Sequence, residues 1–313
     1  MAKPGDFGVT GIATSPIANV VVLGGNGAMG SLFCSQLAGV TKEVFAIDLQ
    51  QASAHDVKGI HYIQADVCKL DSAARNALAH ADVVIAALPE AVTLKAWQNI
   101  TAAQKKASLL VDTLSVKTPF INAISQCKSP DEIISINPMF APSLGFSGQS
   151  SVVIDVRHGP IADAFIALLK SWGCRLVFLT AEKHDRYAAI LQTATHAAIL
   201  AFGMSLKKLN YDLSAVEPIM PPPHRTLLAL VARILSADPE VYWDIQSSNP
   251  YAREARDTLV SSIEDFSQLI ENQNQHDFEK LINSISTMFD SKQLEKYQQT
   301  CSEIFNKYTL IKK

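Results

Sequence analysis

Cysteine pairs, a cationic excess, an acidic tail and internal repeats are all missing from this chain of 313 residues. Its five cysteines (Cys34, Cys68, Cys127, Cys174 and Cys301) are scattered, odd in number and without a Cys-x-x-Cys spacing. That pattern argues against a disulfide framework or a zinc site and fits a reduced, cytoplasmic setting. Lys and Arg together number 27 against 30 Asp and Glu, so nothing draws the chain as a whole to a nucleic-acid backbone. An anionic ligand must then be met by locally placed Arg, Lys or backbone amides. Residues 1–18 have no signal-peptide core and read as a flexible tail. The segment Tyr187–Leu206 approaches membrane-spanning length, but it contains Gln192 and His196 and no basic-flank asymmetry. A helix buried in a core or a dimer seam is expected there, with no membrane, nucleic-acid or metal partner.

What is present is a 48% hydrophobic composition, enough for one large or two medium cores. Apolar, β-rich runs occur at Val20–Leu23, Val44–Ile47, Val83–Ala87, Leu109–Val111, Ile133–Ile136 and Val152–Ile154. Helix-like segments such as Met29–Leu37, Ser72–Ala79 and Ala91–Gln104 lie between them. Continuous apolar strands alternating with helices imply an α/β fold whose parallel sheet is covered on both faces. Past about Lys183 the pattern becomes helical throughout. One long apolar helix comes first, then Pro221-Pro222-Pro223 opens the next, and Asp238-Pro239 reads as an N-cap and first-turn proline. The expected division is a tail at 1–18, a nucleotide-binding domain at 19–182 and a helical domain at 183–313.

The stretch "NVVVLGGNGAMGSLF" places Gly25, Gly27 and Gly30 in G-x-G-x-x-G spacing directly after a buried strand and at the start of a helix. In that context the first glycine serves a tight turn, the second lets a pyrophosphate approach, and the third lets the helix pack on the strand. Ala28 and Met29 begin the helix whose free amides face the phosphates. Glycine turns of this kind also occur in unliganded α/β folds. The next strand, "EVFAID", adds Asp48 at the distance expected of a carboxylate that holds a ribose 2′-hydroxyl. No Arg follows it in Leu49-Gln50-Gln51 to receive a 2′-phosphate, which favours NAD over NADP. Ligands of such sheets sit beyond the carboxyl ends of the strands. Leu88, Pro89, Thr113, Ser115 and Lys117 are therefore candidates for the nicotinamide side. Asn137, in "ISINPMFAPSLGFSGQ", ends the next strand.

Together with "DTLSVKTP", "NPMFAP", "KHDRYAAILQTATHAAILAFG" and "HRTLLALVARILSADPEVYWDI", these motifs resemble the prephenate/arogenate dehydrogenases of aromatic amino-acid biosynthesis. The resemblance runs from about Val20 over most of the chain. It is nearest in motif order to bacterial prephenate dehydrogenases often fused to chorismate mutase. It implies a Rossmann-type doubly wound sheet followed by an all-helical domain that forms a homodimer, with the active site between them. The reaction it implies is hydride transfer from C4 of a cyclohexadiene to NAD, with loss of carbon dioxide and aromatisation. By position, Ser115 resembles a serine near the C4 substituent, His196 a histidine of the substrate pocket, and Arg233 an arginine that pairs with a substrate carboxylate. Arg225, two helical turns earlier, is a second candidate anion contact.

Each of these residues also has a structural reading. A lone histidine on an apolar helix is more often a hydrogen-bonded core residue, and the two arginines could serve a surface or a dimer interface. Ser115 could cap a helix before Pro119, and His184 and Asp185 could act as a cap or hinge.

At Asn137 the family pattern has a histidine, which bonds the substrate's C4 hydroxyl and assists its deprotonation. An amide can orient such a group but does not titrate near neutral pH. Three readings follow. Prephenate or arogenate could be used slowly or with another base, His184 or His196. The protein could be a catalytically silent dinucleotide-binding sensor. Or the substrate could be 4-amino-4-deoxyprephenate, whose amine supplies its own electron pair and whose product, 4-aminophenylpyruvate, leads to p-aminophenylalanine in specialised metabolism. The chemistry of the amide fits the third best.

Overall fold

The computed structural model describes residues 17–51, 58–104, 107–125 and 131–310, and divides into a unit ending at His184 and a unit beginning at Asp185. Residues 1–16 of the expected tail and Cys127 lie outside the described residues.

Eight strands build the sheet of the first unit: β1 (Asn19–Leu23), β2 (Glu43–Asp48), β3 (Ile60–Gln64), β4 (Val83–Ala86), β5 (Leu109–Asp112), β6 (Glu132–Pro138), β7 (Ser150–Arg157) and β8 (Arg175–Phe178). Helices α1 (Ala28–Leu37), α2 (Ser72–His80), α3 (Glu90–Ala103), α4 (Thr118–Ile124) and α5 (Pro160–Ser171) lie between them. The strand order is β3-β2-β1-β4-β5-β6-β7-β8, with β1 to β6 all parallel. This is the doubly wound order, in which the chain reverses direction across the sheet between β1 and β4.

The reason for continuous apolar strands is visible in how they split. Val20, Val22, Val83, Ile85, Leu109, Val111, Ile134 and Ile136 pack on the face that carries Phe33 and Leu37 of α1 and Phe165 and Leu169 of α5. The alternate residues Val21, Leu23, Val84, Leu110 and Ile133 pack on the other face, with α2, α3 and α4. Each such side chain contributes about 1.5–3 kcal/mol by leaving water, so neither face of a central strand can carry a polar residue cheaply.

The structure adds four details. The sheet is not wholly parallel: β7 runs antiparallel to β6, because the loop 139–149 is too short for the crossover that a parallel neighbour requires. Asn137-Pro138 does not stop β6, which pairs Asn137 with Val152 and Pro138 with Ser151. Proline is tolerated at this terminal position because no further ladder bond depends on its missing N–H. Met139 and Phe140 are half-buried, and the Phe140 ring packs edge-on against buried Phe146 at 5.4 Å. Ile17 and Ala18, just before β1, are anchored against the first unit rather than lying in a tail: Ile17 is buried, and the Asp82 carboxylate accepts from the Ala18 and Asn19 amides.

The second unit is helical. A continuous helix runs from α6 (Ala181–Ala188) through a π-helical turn (Ala189–Ala194) into α7 (Thr195–Lys208). It is followed by α8 (Leu213–Val216), α9 (Pro222–Leu235), α10 (Pro239–Ser247), α11 (Ala252–Glu271), α12 (Gln275–Ser286) and α13 (Ser291–Leu310). Asp238 caps α10, accepting from the Glu240 amide at 2.9 Å. The stretch Ala181–Lys208 is long and apolar enough to cross a membrane by length and composition, but only 11% of its apolar window is buried within the chain. Its buried Ile199 packs with Val231 and Ile234 of α9. Ile190, Leu191 and Met204 are exposed on it.

Candidate active site

The glycine loop is fixed by its backbone. Gly24 and Gly25 donate to the Ile47 carbonyl at the end of β2, at 2.8 and 3.3 Å. The left-handed residue is Gly24 (φ +74°), so the tight turn expected of Gly25 falls one residue earlier. Gly25 is needed for a different reason: a Cβ there would sit 2.6 Å from the Ala46 side chain. At Gly30 a Cβ would sit 2.0 Å from the Gly24 carbonyl oxygen, which is the close helix–strand packing expected of the third glycine. Gly27 is exposed, and a Cβ there would meet only the Gly24 oxygen, at 3.3 Å. Its outer side is open to a ligand. Ala28 is exposed and Met29 half-buried at the start of α1, whose first turn carries no acidic residue to compete with an anion.

Asp48 closes the loop from β2. One carboxylate oxygen accepts from the Asn26 amide and the other from the Gln50 amide, each at 3.0 Å. The Asn26 side chain donates in turn to the Gln50 carbonyl at 2.7 Å. A carboxylate anchored beside the glycine turn is placed where a ribose hydroxyl would be read, so the residues present fit a dinucleotide.

Register then carries the site across the sheet. Leu23, Ala86, Asp112 and Ser135 lie in line on β1, β4, β5 and β6. The residues just beyond that line form one edge: Gly24, Leu88 and Pro89, Thr113 and Ser115, and Asn137. Leu88 packs against Gly24, and Pro89 stands at the N-cap of α3. The Thr113 amide donates to the Ala86 carbonyl at 3.2 Å. Ser115 is half-buried and does not cap α4; Lys117 holds that position, with Pro119 in the first turn.

Lys117 and Asp112 are both fully buried. The ammonium donates to Asp112 Oδ1 at 2.8 Å and to the Ile136 carbonyl at 2.7 Å, and the Leu114 amide donates to the same carboxylate oxygen at 3.1 Å. The ion pair thus ties the end of β5 to β6 at the peptide just before Asn137.

Asn137 itself is 2% exposed, and its amide nitrogen lies 2.9 Å from Nε2 of His184, which is 1% exposed. With the NH2 donating, Nε2 carries a lone pair and the ring proton sits on Nδ1. His184 lies in the first turns of α6, where the Thr180 hydroxyl accepts from the Lys183 amide at 3.3 Å, so neither His184 nor Asp185 is the cap. Asp185 is fully buried in the second unit, and its carbonyl accepts from Asn249 at 2.9 Å. Sequence reasoning names His184 only as a cap or hinge or as an alternative base. A histidine beside the domain junction gives no sign in the chain that it meets a strand 47 residues earlier.

The second unit holds the remaining candidates. Helices α7 and α9 approach closely at Gly203, where a Cβ would lie 3.1 Å from Val231. His196 on α7 packs edge-on to Tyr242 of α10, with centroids 4.9 Å apart, and its buried Nδ1 has no hydrogen-bond partner among the described residues. Burial, and then the positive charge of Arg233 on α9, hold its proton affinity below the ordinary histidine range. His196 is thus not a core histidine with satisfied hydrogen bonds. Arg225 places its guanidinium 5.8 Å from the Tyr308 ring centroid on α13, whereas Arg233 is the charge that His196 feels. Among the described residues no cluster of His, Cys, Asp or Glu could hold a metal.

Comparison with known proteins gives the family and the fold. Residues 180–284 match the family "Prephenate dehydrogenase, dimerization domain", and residues 20–133 match "TrkA-N domain". A 4-amino-4-deoxyprephenate dehydrogenase from Streptomyces pristinaespiralis is 36% identical over 291 residues, 93% of this chain and 97% of the relative. The fold is that of the Aquifex aeolicus prephenate dehydrogenase solved with hydroxyphenyl propionate and NAD+ (TM-score 0.70, 15% identity, 87% of this chain and 97% of that one). It is also that of Synechocystis arogenate dehydrogenase (TM-score 0.61, 15% identity, 89% and 99%).

Proposed function

The chain belongs to the prephenate/arogenate dehydrogenase family and is an oxidoreductase, and from that premise we propose that it converts 4-amino-4-deoxyprephenate to 4-aminophenylpyruvate with NAD. Bound NAD supplies a nicotinamide that accepts the hydride from C4. Gly25, Gly27, Ala28, Met29 and Gly30 hold its phosphates through backbone amides, and Asp48 reads the ribose. Leu88, Pro89 and Thr113 border the nicotinamide, and Ser115 orients the C4 substituent.

The observation that carries the substrate choice is Asn137, buried and hydrogen-bonded to His184 at 2.9 Å. With its NH2 engaged, it offers Oδ1 to an N–H of the C4 amine. The amine's lone pair drives hydride loss and the ring carboxylate leaves as carbon dioxide, so no side chain has to take a proton in that step. A C4 hydroxyl gives up its only proton, and an amide cannot accept it. Removing a positioned base costs on the order of 10²–10⁴ in rate. The identity with the Streptomyces relative supports the same choice.

In the second unit Arg233 pairs with a substrate carboxylate and His196 contacts the substrate as a neutral ring, with Arg225 a second anion contact. The dimerization-domain match and the exposed Ile190, Leu191 and Met204 support a homodimer through this unit.

One observation favours a second reading. The His184 ring is hydrogen-bonded to Asn137, so prephenate or arogenate could be oxidised with His184 as base if the substrate took the place of the Asn137 NH2 at Nε2. Rates of NAD reduction with the three ring acids decide between the readings. NAD binding without turnover of any of them would point instead to a dinucleotide-binding sensor.

A further inference from the structure

A π-helical turn rarely persists without support, because its wider spacing shifts carbonyls out of the α-helical ladder. Here the turn Ala189–Ala194 ends just before His196, and α10 supplies the support. The Gln246 side-chain NH2 donates to the Thr193 carbonyl at 2.9 Å, and the fully buried Thr193 hydroxyl donates to the Ile245 carbonyl at 3.1 Å. Arg256 Nη1 lies 3.2 Å from Gln246 Oε1 and donates to the Gln246 carbonyl at 2.6 Å. A guanidinium has only donors, so the Gln246 atom facing Arg256 must be its oxygen. That fixes the other end: the NH2 must face Thr193. The same helix also presents Tyr242 to the His196 ring.

The geometry points to Gln246, oriented by Arg256, as a positioning residue: it locks the π turn at Thr193 and so sets where the His196 ring stands in the substrate site. The inference rests on the reading that His196 contacts substrate. The α10 helix then acts on His196 twice, through the backbone turn that precedes it and through the ring of Tyr242. An ordinary α-helical turn would lack the inserted residue and rotate His196 by about 100° about the helix axis. The clamp therefore decides which side of α7 the imidazole occupies.

Two uncharged variants of the full-length enzyme test this, Gln246→Met and the shorter amide Gln246→Asn. The first readout is the His196 imidazole signal by NMR without ligand. The charged and titratable groups facing that ring are Arg233 from α9 and Tyr242 from α10, and neither is altered. Both variants are expected to move the signal and raise its titration midpoint by about 0.3 pH unit or more, as the ring leaves its buried position. An unmoved signal in a folded variant overturns the inference, whether or not the enzyme turns over. The second readout is a double-mutant cycle with His196→Ala on substrate KM. Gln246→Met should raise KM about threefold to tenfold in the parent and less than about twofold in the His196→Ala background. Equal losses in both backgrounds overturn the inference. A His196→Ala enzyme with unchanged KM instead overturns the reading of His196 as a substrate contact, and the NMR result then stands alone.

Discussion

The amide nitrogen of Asn137 lies 2.9 Å from Nε2 of His184, and both side chains are buried. The pair joins the end of a central strand to the first turns of α6. With the amide NH2 donating to the ring, the oxygen is the Asn137 atom that the proposed reading turns toward the C4 amine.

Asn137→His should restore a base at this position. The variant is expected to oxidise prephenate at least about tenfold faster than the parent and the C4-amino acid more slowly. An unchanged rate with prephenate would mean that more of the pocket differs than this one residue.

Removing the partner should be felt in stability. His184→Leu leaves the Asn137 NH2 buried and unpaired, which costs about 1–3 kcal/mol in urea unfolding. His184→Gln, whose oxygen can accept, should recover part of that loss.

The Lys117–Asp112 pair carries more. Lys117→Met strands a buried carboxylate and should destabilise the enzyme by about 3–5 kcal/mol, whereas the double variant with Asp112→Asn should lose less. Equal losses in the two would show that the charge on Asp112 is not the cause.

Asp48→Ser should raise the Kd for NAD about tenfold or more by removing a charge-assisted bond to the ribose. It should also narrow the preference over NADP, since a carboxylate repels a 2′-phosphate. Isothermal titration with both cofactors reads this directly.

Arg233→Ala should cost about 1.5–3 kcal/mol in substrate kcat/KM and leave NAD affinity alone. His196 gives a second readout. Its proton affinity is lowered first by burial and then by Arg233, so removing the positive charge should raise its titration midpoint but not restore it to the ordinary value. A midpoint unmoved by the substitution would separate the two residues.

The doubly wound core was legible because its strands are apolar on both faces, and continuous apolar runs such as Val20–Leu23 between helix-like segments leave few alternatives. β3 and β8 were not legible. "IHYIQ" and "RLVF" are the two short edge strands of the sheet, and their exposed positions break the continuous apolar pattern that marks the central strands. The glycine loop could be read to within one residue, since spacing gives the motif but not which glycine turns left-handed. Asn137 stood out by its type. His184, Gln246 and Thr193 did not, because their roles come from contacts that no local pattern encodes.

Initial rates of NAD reduction with 4-amino-4-deoxyprephenate, prephenate and arogenate, measured side by side on one preparation, test the central claim most directly. The amino substrate should give a kcat/KM at least about a hundredfold above the other two, in line with the loss of a base for a C4 hydroxyl. A preference for prephenate or arogenate would contradict it.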